Sequence, residues 1–440
     1  MNNKKQQRLA FIVCNDLGAI TRGRGFPERD LEKYLKNGIG WVPANQSITP
    51  FDGIGTNPFN AMGDLRINAD PNADFTVSNL LEGGDLRFLM GNISDLEGNN
   101  WDCCPRAFLI KALEDFKNET GYEINAAFEH EFSLLNNEDK DYGLGFSLQA
   151  YCEVEGFAND LFDALETAKI LPEMFLPEFG QWQFEVTTKP SKAVNAADRA
   201  VALREIVRMA AKKHNYRASF TPKLTPDGVG NGVHIHLSML DKDGVPVMYD
   251  KNRPGFMSEI AGHFAGGVLR HSKALTALTA PSVISYFRLQ PNQWSNAYSS
   301  FGLQNREAML RICPAPTPNH DPANSHHIEF RTPDATVSPY LALGVLIRAG
   351  LEGIRNKIDQ PALLNTDAGS LTEDERLSMD IHRLPTSLPE ALKALKEDDV
   401  VNSWFSEDFM TIYHGMKEME MAQLKDLDEH AIYTKYAKAY

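Results

Sequence analysis

Four short stretches of the chain alternate apolar and polar positions with a period of two: AAFEHEFSLL at 126–135, QWQFEV at 181–186, VHIHLSM at 233–239 and HIEFRT at 327–332. Successive side chains of a β-strand point to opposite faces, so Glu129 and Glu131 share a face, as do Gln183 and Glu185, His234 and His236, and Glu329 and Arg331. The other positions are mostly Ala, Val, Ile and Phe, which predicts strands with one apolar face and one ionisable face. Elsewhere residues 9–14, 75–77 and 86–90 read as short strands and residues 28–36 as a helix, with turn clusters such as Ala69-Asp70-Pro71-Asn72 between them. That mixture predicts a small α+β domain over residues 1–104. Pro105 then opens a helix over 105–120, since proline is favoured at a first helical position. Apolar spacing predicts further helices over 196–215 and 257–278, one from Pro339 to 358 capped by Ser338, and a charged helical tail from Glu407. Residues 105–440 read as the second, larger domain. No internal repeat is present.

Composition narrows the function classes. The 440 residues are 42% hydrophobic and 10% aromatic, values of an ordinary folded protein. A net charge of −15, from 44 basic against 59 acidic residues, argues against sequence-independent nucleic-acid binding and against an anionic membrane surface. The best membrane-span candidate, YLALGVLIRAG, contains Arg348, and the first apolar run, 9–14, is too short for a signal segment. Cys14, Cys103, Cys104, Cys152 and Cys313 follow neither a metal-ligand spacing nor an even disulfide set, as expected of reduced thiols in a cytoplasmic protein.

The ionisable face is the candidate chemistry. A solvated strand face mixes Lys, Thr and Ser with its acids, whereas Glu129 and Glu131 stand between Ala126-Ala127-Phe128 and Phe132. Crowded carboxylates repel and need cations between them to stay ionised. Glu178 lies seven residues before Glu185, enough for a turn that brings both acids to one strand end. His234 and His236 follow Gly228-Val229-Gly230-Asn231-Gly232, a segment that lets backbone approach a ligand closely. Five carboxylates with one or two imidazoles suit Mg²⁺ or Mn²⁺ better than tetrahedral zinc. Mg²⁺ held by carboxylates commonly also holds phosphate, which suggests a nucleotide, although no P-loop or kinase Gly-loop is present. Arg288, Arg306, Arg311 and Arg331 supply cationic forks for phosphate or carboxylate.

In this order, the Glu-X-Glu strand, the Gln-X-Glu strand, the Gly-rich loop into His-X-His-X-Ser, the Asn305-Arg306 segment and Ile-Glu-X-Arg-X-Pro-Asp followed by Pro-Tyr-Leu resemble the glutamine synthetase family, over essentially the whole chain. The resemblance implies an α+β fold: an N-terminal β-grasp domain, then a catalytic domain with a curved antiparallel sheet flanked by helices. It implies a homo-oligomer, a dodecamer of two stacked hexameric rings, with active sites between neighbouring subunits. It implies two to three Mg²⁺ or Mn²⁺ ions per site, one held by Glu131, Glu178 and Glu185 and another by Glu129, His234 and Glu329. It places ATP at His236, Ser238 and Arg311, L-glutamate at Gly230, Arg288 and Arg331, and the transferring phosphoryl group at Arg306 and Arg311. The implied reaction phosphorylates the glutamate γ-carboxylate and then replaces the phosphate by an amine.

Two departures bear on that amine. Ammonia-using members carry an acid six positions after the arginine of the Arg-Leu-X-Pro flap; here Trp294 stands six after Arg288. They also carry Phe-Asp-Gly-Ser-Ser in an N-terminal latch, where this chain has Gly38-Ile39-Gly40-Trp41-Val42-Pro43 and Val42 falls at the acid. Apolar walls at both positions favour a carbon-bearing amine, with about 0.8 kcal/mol available per buried methylene. The resulting expectation is a γ-glutamyl-amine ligase, similar to the family's γ-glutamylpolyamine and γ-glutamylmethylamide synthetases, with a weak preference for a monoamine. The alternative is glutamine synthetase itself, using ammonia, because Phe51-Asp52-Gly53 would restore one acid if it serves as the latch. His326-His327 stands where the family often has arginine, and His382 where some bacterial members have a modifiable tyrosine.

Overall fold

The computed structural model describes residues 8–136, 142–291, 293, 295–313 and 321–440. Strands β1 (Leu9–Asn15), β2 (Thr21–Pro27), β3 (Ile39–Trp41), β4 (Leu65–Val77) and β5 (Leu86–Ser94) form a five-stranded sheet in the order β2-β1-β5-β4-β3. The central pair β1–β5 is parallel and the other pairs are antiparallel. The helix Leu31–Asn37 crosses between β2 and β3, completing a β-grasp arrangement. Period-two alternation gives the sheet two apolar faces. Ala10, Ile12, Ile39, Ile67 and Ile93 form a small local core, while Val13, Phe75, Phe88 and Met90 join the main one.

Two sequence expectations change here. Residues 28–36 divide into a 3-10 turn, Glu28–Asp30, and the helix Leu31–Asn37. The cluster Ala69-Asp70-Pro71-Asn72 does not separate strands. It is an irregularity inside β4, whose register against β5 shifts between Ala69 and Asp74. Pro71 has no N–H to give the ladder, and the Asp70 carboxylate accepts the Asn72 N–H at 2.9 Å, so the extra residues loop out while the strand resumes.

The second sheet has nine strands: β6 (Glu123–Leu135), β7 (Pro172–Pro177), β8 (Gln183–Thr188), β9 (Ser191–Lys192), β10 (Arg217–Ser219), β11 (Val233–Leu240), β12 (Phe301–Leu303), β13 (Leu310–Ile312) and β14 (Ile328–Phe330). Their order is β12-β13-β14-β11-β6-β8-β7, with β9 and β10 also on β6, and among the described residues only β12–β13 is parallel. One face is apolar: Phe128, Phe132, Phe184, Val186, Ile235, Leu237 and Phe330 are all at most 1% exposed. It belongs to the same core as the helix Ala193–Lys213 and the helix Pro339–Arg355.

Pro105–Thr120 forms as expected, with Pro105 in its first turn and Gly121 closing it at φ 75°. The helix expected over 257–278 is two, Glu259–Arg270 and Ser272–Thr279, because His271 leaves helical geometry. Ser338 occupies the N-cap position before Pro339, but its hydroxyl makes no capping bond. The tail divides into Glu407–Ala422 and Glu429–Ala439, capped by Ser406 and Asp428. Among the described residues no helix is long and apolar enough to cross a membrane.

An ion network ties the N-terminal sheet to helices of the larger domain. Arg106, 3% exposed, donates to both Asp198 oxygens at 2.8 and 2.9 Å, to Asn92 at 2.9 Å and to Asp70 at 2.7 Å, while the Tyr340 hydroxyl donates to Asp198 at 2.6 Å. The looped-out Asp70 of β4 is thereby tied to three helices of the larger unit. Removing one partner leaves a buried charge unpaired, so Arg106→Leu is expected to cost about 3–5 kcal/mol in denaturant unfolding; wild-type stability would contradict this role.

Candidate active site

Register assembles the ionisable face. Glu131 lies opposite Glu185 across β6–β8, and Glu129 lies opposite His234 across β6–β11. His236 lies opposite Glu329 across β11–β14, and Glu329 opposite Arg311 across β14–β13. Directly opposed residues share a face, so all seven project to the same side. Distances confirm the convergence. His236 Nε2 is 3.0 Å and His234 Nδ1 3.4 Å from Glu129, His234 Nδ1 is also 3.4 Å from Glu329, and His234 Nε2 is 3.9 Å from Glu131. Glu329 accepts from Arg311 at 2.6 Å and pairs with Arg331. His130, between the two glutamates in sequence, points into the core. It is fully buried, and Arg204 Nε lies 3.2 Å from its Nε2.

The Gly-rich loop works by close approach. A Cβ on Gly232 would lie 2.6 Å from the Arg288 guanidinium and 3.0 Å from His234 Nε2, and one on Gly230 would lie 2.8 Å from the Arg288 side chain. The Gly232 N–H donates to Glu131 at 2.7 Å. Gln183 holds the loop from beside Glu185, donating to the Gly230 carbonyl at 2.8 Å and to Asn231 at 2.9 Å. Arg288 is buried and gives N–H groups to the carbonyls of Thr332 and Arg331 at 2.9 and 3.1 Å.

Electrostatics divides the face in two. Burial pushes the Glu178 carboxyl up to about 7, and the charges of Glu131 and Glu129 add to the effect against Arg306. Burial, then Glu129, Glu131 and Glu178, hold Glu185 well above the ordinary carboxylate range. At the other end burial also opposes charge, but cations win. His236 and His234 hold Glu129 well below its ordinary value, and Arg331, His234 and His236 bring Glu329 down to about 2. One half is therefore short of positive charge and the other is rich in it.

The donor geometry fits divalent cations. Ligand atoms of Glu129, Glu185 and His234 lie within 4.8 Å of one another, as do those of Glu129, His236 and Glu329. These groupings cut across the two ligand sets expected from sequence, with Glu129 central to both. Hard carboxylate oxygens and an imidazole suit Mg²⁺ or Mn²⁺, and the raised Glu178 and Glu185 are the groups a cation would relieve.

A cavity of about 330 Å³ opens beside this face, lined by Asn125, Glu129, Thr187, His236, Ser238 and His327 among others. His236 and Ser238 thus share one wall. Arg306 is exposed, in the turn before β13. Val42 lies elsewhere, half-buried at the end of β3 in the other sheet. Trp294 lies outside the described residues. Cys313, expected to be a reduced thiol, and His327, noted as standing where the family often has arginine, are two further residues that the structure brings to this face. Cys313 is two positions past Arg311 and His327 two before Glu329, so the period-two rule already places them on this face.

A β-grasp sheet ahead of an antiparallel sheet that gathers acids, imidazoles and arginines beside a cavity defines a metal-dependent enzyme that handles anionic substrates. The family model described as glutamine synthetase, catalytic domain, matches residues 102–436, and that described as glutamine synthetase N-terminal domain matches residues 2–101. A glutamine synthetase of Pyrococcus furiosus is 31% identical over 439 residues, covering 97% of this chain and 94% of that protein. A gamma-glutamylpolyamine synthetase of Streptomyces coelicolor is 29% identical over 441 residues, covering 98% and 93%. A crystal structure described as a novel glutamine synthase homolog superposes with a TM-score of 0.92 at 40% identity, over the whole of both chains. The chain belongs to the glutamine synthetase family, whose members are ATP-dependent ligases.

The raised Glu178 carboxyl gives a measurable linkage. Its folded value of about 7 lies above the ordinary 4.5, so its contribution to stability is present at low pH and lost as pH rises through 7. A divalent cation must displace that proton at pH 6 and not at pH 8. The rise in Tm caused by saturating Mg²⁺ is expected to be larger at pH 8 than at pH 6; an equal or smaller rise at pH 8 would contradict the assignment.

Proposed function

We propose that this protein joins L-glutamate to a small amine through γ-glutamyl phosphate, at the expense of ATP. The observation that carries the reading is the divided face. Glu178 and Glu185 are pushed toward protonation by burial and by their neighbours, within one cluster with histidines and arginines and beside a cavity of about 330 Å³. Glu131, Glu178 and Glu185 would hold one Mg²⁺ or Mn²⁺ and Glu129, His234 and Glu329 another, with two to three ions per site. Bound there, the ions would screen the phosphate oxygens from the carboxylates.

The chain's own residues then do the positioning. His236 and Ser238 would meet the nucleotide in the cavity, with Arg311 beside them on its phosphates. Arg331 and Arg288, against the close backbone of Gly230, would orient glutamate. A γ-carboxylate oxygen attacks the γ-phosphorus in line and ADP departs. Arg306 and Arg311 would balance charge on the transferring group. The amine nitrogen next attacks the γ-carbonyl, phosphate leaves with its bridging oxygen, and the nitrogen loses a proton.

The amine reading rests on Val42 and Trp294, apolar where ammonia-using members carry acids. Val42 stands on the N-terminal sheet and the carboxylates on the other, and the resemblance to a family whose active sites lie between neighbouring subunits implies that a neighbouring subunit would bring it to the site. That is the arrangement of a ring, and a dodecamer of two stacked hexamers is the assembly we propose, in the cytoplasm. Ammonia as the acceptor remains the second reading. It is favoured by the name of the Pyrococcus relative and by Asp52, exposed in a turn at φ 59°.

Phosphate release from ATP and glutamate with a panel of amines separates the two. Alkyl, aryl or polyamines are expected to support turnover above ammonium, and turnover with ammonium alone would refute the amine ligase. Trp294→Glu is expected to raise ammonium use, and no change would count against that position as the acceptor wall. Arg306→Ala is expected to lower kcat by roughly 10³-fold with a much smaller change in the KM for glutamate; a KM effect alone would assign it to binding.

A further inference from the structure

Beyond the carboxylates, the ionisable face carries a second cluster of different chemistry. Cys313 follows β13 directly, and its N–H donates to the His327 carbonyl at 3.1 Å, which sets the two residues side by side. His236 on β11 completes the group. His236 Nδ1 is 2.9 Å from His327 Nε2 and 3.9 Å from Cys313 Sγ, and one ligand atom from each of the three residues lies within 4.8 Å of the others. We propose that Cys313, His236 and His327 form a binding site for a thiophilic divalent cation of the zinc class, adjoining the carboxylate sites and differing from them in its ligand chemistry.

Three observations carry this. The first is spacing. Zinc bonds of about 2.3 Å to sulfur and about 2.0–2.1 Å to nitrogen set tetrahedral ligands roughly 3.3–3.6 Å apart. The Cys313–His236 separation is already close to that, and the two imidazoles need to part by only a few tenths of an ångström. The second is orientation. His327 Nδ1 lies 2.6 Å from the Ser325 carbonyl, an oxygen that only accepts, so the proton sits on Nδ1 and Nε2 offers its lone pair to the cluster. His236 Nε2 lies 3.0 Å from Glu129, which leaves Nδ1 directed at the cluster. His327 is thus backed by a hydrogen-bond acceptor on its far nitrogen, the arrangement that aims and strengthens metal-binding histidines, and the far nitrogen of His236 faces the Glu129 carboxylate. The third is selectivity. One thiol and two imidazoles favour zinc over Mg²⁺, which prefers oxygen. Cys14, Cys103 and Cys104 are buried and Cys152 is exposed, and none of them belongs to a comparable group among the described residues.

The site borders the cavity through His236 and His327. A cation there would exclude a nucleotide that needs the same imidazole; that consequence rests on the nucleotide reading, whereas binding itself does not. The test therefore measures binding. The full-length protein is equilibrated with Zn²⁺ under excess Mg²⁺, which occupies the carboxylates, then passed through a desalting column. One zinc per chain is expected, with an X-ray absorption spectrum fitted by one sulfur near 2.3 Å and two imidazole nitrogens. Cys313→Ser is expected to weaken retention at least ~10-fold, and Cys152→Ser to leave it unchanged. A wild-type spectrum without sulfur, or equal retention by Cys313→Ser, would overturn the site and mean that a trio of hydrogen-bonded side chains is all that is present. The wild-type spectrum decides even if Cys313→Ser fails to fold, and neither result bears on whether the protein is a ligase.

Discussion

Repulsion between carboxylates on one half-buried sheet face is the constraint around which this protein is organised. Glu131 and Glu185 are directly opposed, and Glu129 and Glu178 act on the same space. Two unit charges roughly 5 Å apart in a protein of effective dielectric ~20 repel by about 3 kcal/mol. The fold meets that repulsion in two ways. Near Glu178 and Glu185 it is relieved by protons or by cations from outside. Near Glu329 the chain supplies its own cations, Arg311 and Arg331, with His236 beside them. Glu129 stands at the junction, facing histidines on one side and acids on the other. A substrate with a phosphate to place meets metal-seeking oxygens and fixed guanidinium groups within one cluster.

Such a face survives only on a rigid support. The opposite side of the same strands is dense with phenylalanine, valine and isoleucine, and even His130 is kept fully buried there beside Arg204. Gly232 and Gly230 let Arg288 lie against the backbone without a Cβ in the way, and Gln183 pins the same loop from the neighbouring strand. Stability is thus concentrated on one face and chemistry on the other, as the two-residue period of a strand allows.

Overall identity does not decide the amine. A glutamine synthetase and a gamma-glutamylpolyamine synthetase are similar to this chain to nearly the same degree, 31% and 29%. Acceptor choice would depend on a few side chains that meet the amine in the second step, and residues 42 and 294 are the two we propose for that role.

Much of the face was legible in the chain because strand periodicity is local: Glu129 with Glu131, His234 with His236 and Glu329 with Arg331 follow from counting by two, and the same count would have reached Cys313 and His327. The helix starting at Pro105 was equally legible, since proline at a first helical position is a local signal. What the sequence alone could not determine is anything set by pairing between distant strands. That Glu131 faces Glu185 and that Glu129 is central to both candidate ligand groups are outcomes of tertiary packing. The turn cluster at 69–72 shows the reason most plainly. Asp70 and Pro71 read as a break, yet the neighbouring strand and the buried Arg106, both remote in sequence, carry β4 through it. Local propensities are worth a few tenths of a kcal/mol per residue, whereas leaving a buried charge such as Arg106 unpaired costs about 3–5 kcal/mol.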